Sequence, residues 1–277
     1  MHTYAFYGPF PSPRGRGLPP HDAMSLPRTP SFSLQGRRAL VAGAGRGIGA
    51  AAAAALCDAG AEVTLAARST AELEQVADEL HARGGRARVL PMDVTDTAAV
   101  RDAVAQCAPF DVLVNSAGTN RPALLADTSD NDLDTVLGLN LRAALVLARE
   151  VSRGMVQAGR GGSIITVSSQ MGHVGGPRRT VYCATKHAVE GLTKALAWEL
   201  GPHGIRVNTL CPTFIETEMT RPMLADPAFS DFVRSKIALG RIGQLQDVMG
   251  AVLFLAGDAS ALVTGSALMV DGGWTAA

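Results

Sequence analysis

Several residue types are scarce in this chain of 277 residues, and each scarcity narrows what it can be. Cysteine occurs at Cys57, Cys107, Cys183 and Cys211, far apart and without the paired spacing of a metal site or a disulfide framework. The expected reading is buried thiols in a reducing, cytoplasmic compartment, with no metal. Charge is sparse and balanced: Lys+Arg and Asp+Glu are 25 each, so the formal net charge is zero. That balance gives no electrostatic case for nucleic acid or an anionic membrane. No apolar run reaches the roughly 18 residues of a membrane span, and the first residues lack a signal-peptide core. Aromatic residues make up 5% of the chain, with three tyrosines, and lysine also occurs three times.

What is plentiful sets the class. A chain 47% hydrophobic and 18% charged suits one globular domain with a sizeable core. Residues 1–33 stand apart. Pro9, Pro11, Pro13, Pro19, Pro20, Pro27 and Pro30 interrupt any helix or strand pattern, so this stretch reads as a disordered or loosely docked extension. Met24 is an alternative start within it. Residues 34–277 are expected to form the domain.

From Ala39 the chain alternates. Ala39–Ala42, Glu62–Ala66, Arg88–Met92 and Asp111–Val114 read as strands. Helices are predicted after Gly43–Gly49 to Ala59, over Ala71–Arg83 and over Ala98–Cys107. This order predicts an α/β fold: a Rossmann-like, doubly wound parallel sheet of about seven strands with helices on both faces. Ligands in such sheets bind beyond the carboxyl ends of the strands, where Gly43–Gly49 and Asn115–Gly118 are expected to lie.

The glycine turn follows a strand and opens a helix. Gly43, Gly47 and Gly49 fit G-x-x-x-G-x-G, with Ile48 between the last two, and would let backbone N–H groups approach a pyrophosphate. About twenty residues on, where an NAD-binding fold places an acid, the chain has Ala67-Arg68-Ser69. Arg68, with Arg46 in the turn, offers cations for a 2′-phosphate, which favours NADP(H) over NAD(H). The plainer alternative is two solvated arginines. Asp93 and Val94 end the third strand, and Asp93 suits either an adenine contact or a helix cap.

Tyr182 and Lys186 are spaced i,i+4, one turn apart on one face of a helix. A neighbouring cation favours the phenolate, so Lys186 is expected to lower the Tyr182 pKa and suit it to proton transfer. Ser169 lies thirteen residues upstream behind a glycine-rich turn that can fold its hydroxyl back beside the phenol. His173 and His187 are expected to be surface or packing residues. The aspartates 127, 130, 132 and 134 are read as helix capping rather than a metal site.

Taken together and in order, these motifs resemble the short-chain dehydrogenase/reductase family from about Gln35 to Trp274. Gly43–Gly49 resembles its cofactor turn, and Asn115-Ser-Ala117-Gly118 its Asn-Asn-Ala-Gly motif. Asn140 matches its helix asparagine, on a helix expected over about 131–158. Ser169, Tyr182 and Lys186 match its catalytic residues. Pro212, Thr213, Ile215 and Thr217 fall where the family meets the nicotinamide, and Val270-Asp-Gly-Gly273 matches its final strand. The departures are Ala42 for Thr, Ser116 for Asn and Thr213 for Gly, the first expected to loosen the first and fourth strands.

The resemblance implies hydride exchange between a nicotinamide cofactor and a secondary alcohol or ketone. Tyr182 would be the acid or base, Ser169 the substrate-oxygen donor, Lys186 the ribose contact, and Asn140 the anchor of a water leading to Lys186. The Phe214–Gly240 segment would be a lid, and Asn120 and Arg121 would sit at the pocket mouth. The substrate is read as a sugar, polyol or sugar acid, with a 3-oxoacyl thioester as alternative. A non-catalytic cofactor-binding scaffold is the reading from another class. A homotetramer is expected through the helix over Arg179–Leu200, whose Val181, Ala184, Ala188, Leu192 and Ala195 share a face.

Overall fold

The computed structural model describes residues 26–107 and 109–276. The first 25 residues of the proline-rich stretch lie outside the described residues. Residues 26–33 run exposed and without regular structure, and Leu34 is the first side chain to enter the core.

The strands are β1 (Arg38–Ala42), β2 (Glu62–Ala67), β3 (Arg86–Pro91), β4 (Val112–Asn115), β5 (Gly162–Val167), β6 (Ile205–Pro212) and β7 (Ala267–Val270). They form one parallel sheet in the order β3-β2-β1-β4-β5-β6-β7. The order reverses between β1 and β4, so a crevice opens at the carboxyl ends of those two strands. The central strands are apolar on both faces, as a sheet covered by helices on both sides requires.

Two helical layers cover it. Helix α1 (Gly47–Asp58) is half alanine and lies in the core cluster with α2 (Thr70–Ala82) and α9 (Leu245–Ala256). Its buried Ala51, Ala52, Ala53 and Ala55 leave room for Val248, Val252 and Leu255 of α9. The opposite face carries α3 (Thr97–Gln106), α5 (Ala143–Ala158) and α6 (Thr180–Leu200). The anticipated loosening at Ala42 does not occur. Ala42 stays in register with Asn115, and the Ser116 N–H donates to the Ala42 carbonyl at 2.9 Å, a bond that needs no side-chain hydroxyl.

The helix expected over 131–158 is interrupted. Helix α4 (Asp130–Leu137) and α5 are joined by a π-turn, Gly138–Arg142, in which the Ala143 N–H donates to the Gly138 carbonyl. Such wide turns concentrate at functional sites, and this one carries Asn140. Ser129 caps α4 and Asp130 and Asp132 occupy its first turn, as a favourable helix dipole requires. After β6 come α7 (Arg221–Leu224) and α8 (Pro227–Lys236), the latter capped by Asp226.

Candidate active site

The glycine turn is shaped by close approach. Gly43 has φ +77°, and a Cβ there would lie 2.8 Å from the Ala117 nitrogen. A Cβ on Gly49 would collide with the Gly43 carbonyl oxygen. The turn is thereby drawn against β4, and the α1 N-terminus, which no side chain among the described residues caps, faces the crevice with Ile48 half-buried behind it. Thr217 approaches from the opposite side, its methyl 3.6 Å from where a Gly47 Cβ would stand. The buried Ile215 anchors that segment, and the Thr213 N–H donates to the Val270 carbonyl beyond Pro212. The buried Thr213 hydroxyl oxygen has no hydrogen-bond partner among the described residues. The cradle at the turn suits the pyrophosphate of a dinucleotide, and the unpartnered Thr213 hydroxyl is open to a further polar group of a ligand in the crevice.

The Asn115 side chain accepts from the Ala117 N–H at 3.2 Å, holding Ala117 and Gly118 at the lip of the crevice. Val94 is buried at the β3 end. Asp93 does not cap α3; Asp96 does. Asp93 instead accepts from the Thr95 N–H and hydroxyl, bonds that hold its carboxyl below the usual range.

The two arginines expected at the 2′-position part company. Arg68 is exposed and near enough to Asp93 to favour its ionised form. Arg46 pairs with Glu72 at 3.3 Å, and a Cβ on Gly45 would lie 2.8 Å from the Glu72 carboxylate. A carboxylate does therefore stand beside the turn, supplied by the first turn of α2 rather than by the β2 end. The Ser69-Thr-Ala-Glu72 spacing, a helix-start signature, was the signal that could have located it.

Deeper in the crevice Ser169, Tyr182, Lys186 and Asn140 converge. Tyr182 and Lys186 occupy one face of α6, the ammonium 5.5 Å from the phenol ring centre. Ser169 ends the β5 loop. Its hydroxyl donates to Gln170 Oε1 at 2.6 Å, accepts from the Met171 N–H, and lies close enough to stabilise a Tyr182 phenolate. Asn140 clamps Thr119, accepting from its N–H at 2.8 Å and donating to its carbonyl at 2.9 Å, and also donates to Thr185. A Cβ on Gly118 would sit 3.3 Å from Asn140 Oδ1 and 3.8 Å from Lys186 Nζ. Thr119, Gln170 and Thr185 carry no motif and were not foreseen.

The expected fall in the Tyr182 pKa is not found. Burial pushes the phenol up to about 12, with the Ser169 hydroxyl opposing it. Lys186 is itself buried, is driven down to about 8, and donates to the Val167 carbonyl at 2.8 Å. Removing both groups from water disfavours both charged forms, and this outweighs the opposing Ser169 hydroxyl and Arg179 at the phenol and Cys211 and Glu190 at the ammonium.

The lid segment lies over the start of α6. The Arg179 guanidinium is buried and reaches Met223 Sδ of α7 at 3.4 Å. Phe214 stacks on Trp274 and meets Phe229 of α8 edge-on. A cavity of about 520 Å³ adjoins Thr213 and Ile215 on one side and Ala238 and Leu239 on the other. Arg121 pairs with Asp132 at 3.4 Å on the surface, and the buried side-chain oxygen of Asn120 has no partner among the described residues. His187 bonds the Cys183 carbonyl. His173 is drawn towards Glu190 and Cys211, a grouping no sequence spacing reveals. Among the described residues, no helix is long and apolar enough to cross a membrane.

Comparison with known proteins agrees with this architecture. The family model described as enoyl-(acyl carrier protein) reductase matches residues 43–275. D-erythrulose reductase of Gallus gallus is 42% identical over 245 residues, covering 88% of this chain and 98% of its own. Gluconate 5-dehydrogenase of Gluconobacter oxydans is 41% identical over 88% of this chain and 96% of its own. The structure of a gluconate 5-dehydrogenase from Burkholderia cenocepacia in complex with NADP and tartrate superimposes with a TM-score of 0.86. It is 38% identical, covering 89% of this chain and 98% of the other. Likeness of this extent, from the cofactor turn to the last strand, leaves one conclusion: the chain belongs to the short-chain dehydrogenase/reductase family, NAD(P)-dependent oxidoreductases acting on secondary alcohols and ketones.

Proposed function

We propose that this protein interconverts a sugar, polyol or sugar acid and the corresponding ketone, preferring NADP(H). The carrying observation is the convergence of Ser169, Tyr182, Lys186 and Asn140 at the crevice that the glycine turn opens. Residues 43–49, 93–94, 115–118 and 212–217 would hold the dinucleotide, which when bound supplies or accepts the hydride. Tyr182 gives its proton to the substrate oxygen in reduction and takes it back in oxidation. A phenol held near 12 stands ready as the acid. Ser169, its hydroxyl turned from Gln170, would donate to the same oxygen as charge develops there. Lys186 would hold the cofactor ribose and, as a cation, would favour the phenolate in oxidation. Asn140, through Thr119, fixes the backbone beside that lysine.

Arg179 supports an acidic substrate. It is a buried cation without a carboxylate partner among the described residues, close to Tyr182 and covered by the lid. The names of the relatives, D-erythrulose reductase and gluconate 5-dehydrogenase, support the same class. The description of the matching family model favours an acyl thioester instead. Arg68 supports NADP(H), and the Arg46–Glu72 pair moderates that preference. A panel of sugars, polyols, aldonic acids and 3-oxoacyl thioesters, run with both cofactors and followed by nicotinamide absorbance, is the test. Turnover confined to thioesters would refute the sugar reading.

Self-association is supported by the surface. Ala184 and Ala195 are exposed on α6, Trp198 on the same face is 83% exposed, and Leu133, Leu137 and Leu145 are uncovered on the neighbouring helices. β7 is a half-buried edge strand. Two such surfaces suit a tetramer built from two kinds of interface. We place the protein in the cytoplasm, where its free cysteines would stay reduced, with residues 34–277 as the catalytic domain and 1–33 dispensable.

A further inference from the structure

We propose that His173, Glu190 and Cys211 form a binding site for a thiophilic divalent cation of the zinc class, set behind the catalytic Tyr182–Lys186 pair. The three residues come from different elements: His173 from the loop after Ser169, Glu190 from the middle of α6 and Cys211 from β6. Their ligand atoms form a nearly equilateral triangle. Cys211 Sγ lies 3.6 Å from His173 Nε2 and 3.4 Å from Glu190 Oε1, and the nitrogen and oxygen are 3.6 Å apart. Tetrahedral zinc with its usual bonds to sulfur, nitrogen and oxygen separates such atoms by about 3.3–3.7 Å. A point about 2 Å from all three atoms therefore exists without moving any of them.

The surroundings suit an ion. Glu190 Oε2 accepts from the Thr209 hydroxyl at 2.9 Å, which fixes the carboxylate as an outer-sphere partner does. The buried Ser168 hydroxyl stands beside the Cys211 sulfur and favours its thiolate. One thiolate, one carboxylate and a neutral imidazole balance a divalent charge, so the occupied site is neutral and tolerates burial. His173 is one-third exposed and provides the entrance, leaving the fourth position to water. Binding requires Cys211 to surrender its proton to solvent. The released proton leaves past the partly exposed His173, the same way the ion enters. Glu190, Lys186, Tyr182 and His173 are the titratable groups facing the Cys211 thiol. The ion would tie the loop that carries Ser169 to α6, one turn beyond Lys186.

The test is titration of the metal-stripped protein with Co²⁺, then displacement by Zn²⁺. About one Co²⁺ per chain is expected, with a thiolate-to-cobalt charge-transfer band and the intense visible bands of a tetrahedral ion. Cys211→Ser should lose the charge-transfer band. His173→Ala, a change at a partly exposed loop position, should bind Co²⁺ at least about tenfold more weakly with an unchanged circular dichroism spectrum. Failure of the wild type to take up either ion stoichiometrically overturns the proposal. A charge-transfer band that survives in Cys211→Ser overturns it too, placing the ion at another thiol.

Discussion

Replacing Lys186 with methionine should make the protein more stable while it stops working. The lysine is buried and its pKa falls from 10.5 to about 8. The charged form is therefore disfavoured in the fold, by about 3 kcal/mol at neutral pH. The sign follows from proton counts. Between about 8 and 10.5 the unfolded chain holds a proton that the folded chain has lost, so wild-type stability rises with pH across that window. Below it both states are protonated and the whole penalty applies. Methionine follows the lysine stem without the charge but leaves the Val167 carbonyl unpartnered, a cost of about 1 kcal/mol. The net gain is about 2 kcal/mol, or roughly 4–8 °C in melting temperature for a domain of this size. Thermal and urea unfolding at fixed protein concentration should find Lys186→Met above wild type at pH 7. The gap should narrow by about 2 kcal/mol at pH 9.5. A variant less stable at pH 7, or a gap that does not depend on pH, would refute a burial-driven shift. Turnover and cofactor affinity should both collapse, so that stability and activity move in opposite directions.

Tyr182→Phe should lower turnover by about a thousandfold or more with little change in dinucleotide affinity, measured by fluorescence titration. Gly43→Ala should cost at least about 2 kcal/mol and most cofactor affinity, because the added methyl meets the Ala117 backbone. Unaltered unfolding would contradict the close approach. Ala67→Asp/Arg68→Ala should move kcat/KM towards NAD(H) by about tenfold or more, and Glu72→Gln should move it towards NADP(H). An outright wild-type preference for NAD(H) would make the arginines mere surface charges. Ala188→Glu should reduce the assembly seen by light scattering, and a monomeric wild type at micromolar concentration would refute the oligomer.

What the sequence revealed was local. The glycine turn is legible because backbone conformation and steric approach restrict it to small residues. Tyr182 and Lys186 are legible because helix geometry fixes what an i,i+4 pair can do. The parallel sheet follows from alternating periods. What escaped depends on distant partners. Arg46 and Glu72 are 26 residues apart, and their pairing depends on how α2 leaves β2. The Arg121–Asp132 pair likewise depends on where α4 lies, which sequence does not state. The direction of the Tyr182 shift is invisible in sequence because burial is a property of the whole fold. The interruption at Asn140 left no mark in composition, since Gly-Leu-Asn-Leu-Arg reads as an ordinary stretch of helix.

That interruption makes chain length itself a functional variable. In the π-turn one residue more than an α-helix needs is accommodated between α4 and α5. Each residue of an α-helix advances the chain by about 100°. Deleting a single residue from 138–142 would close the wide turn and leave two sound helices, but with their phases changed. Asn140 would then swing away from Thr119 and Thr185, and the backbone beside Gly118 would lose both bonds that hold it. A one-residue deletion here that spares Asn140, conserving every motif and nearly all of the core, should silence the site as effectively as removing the asparagine.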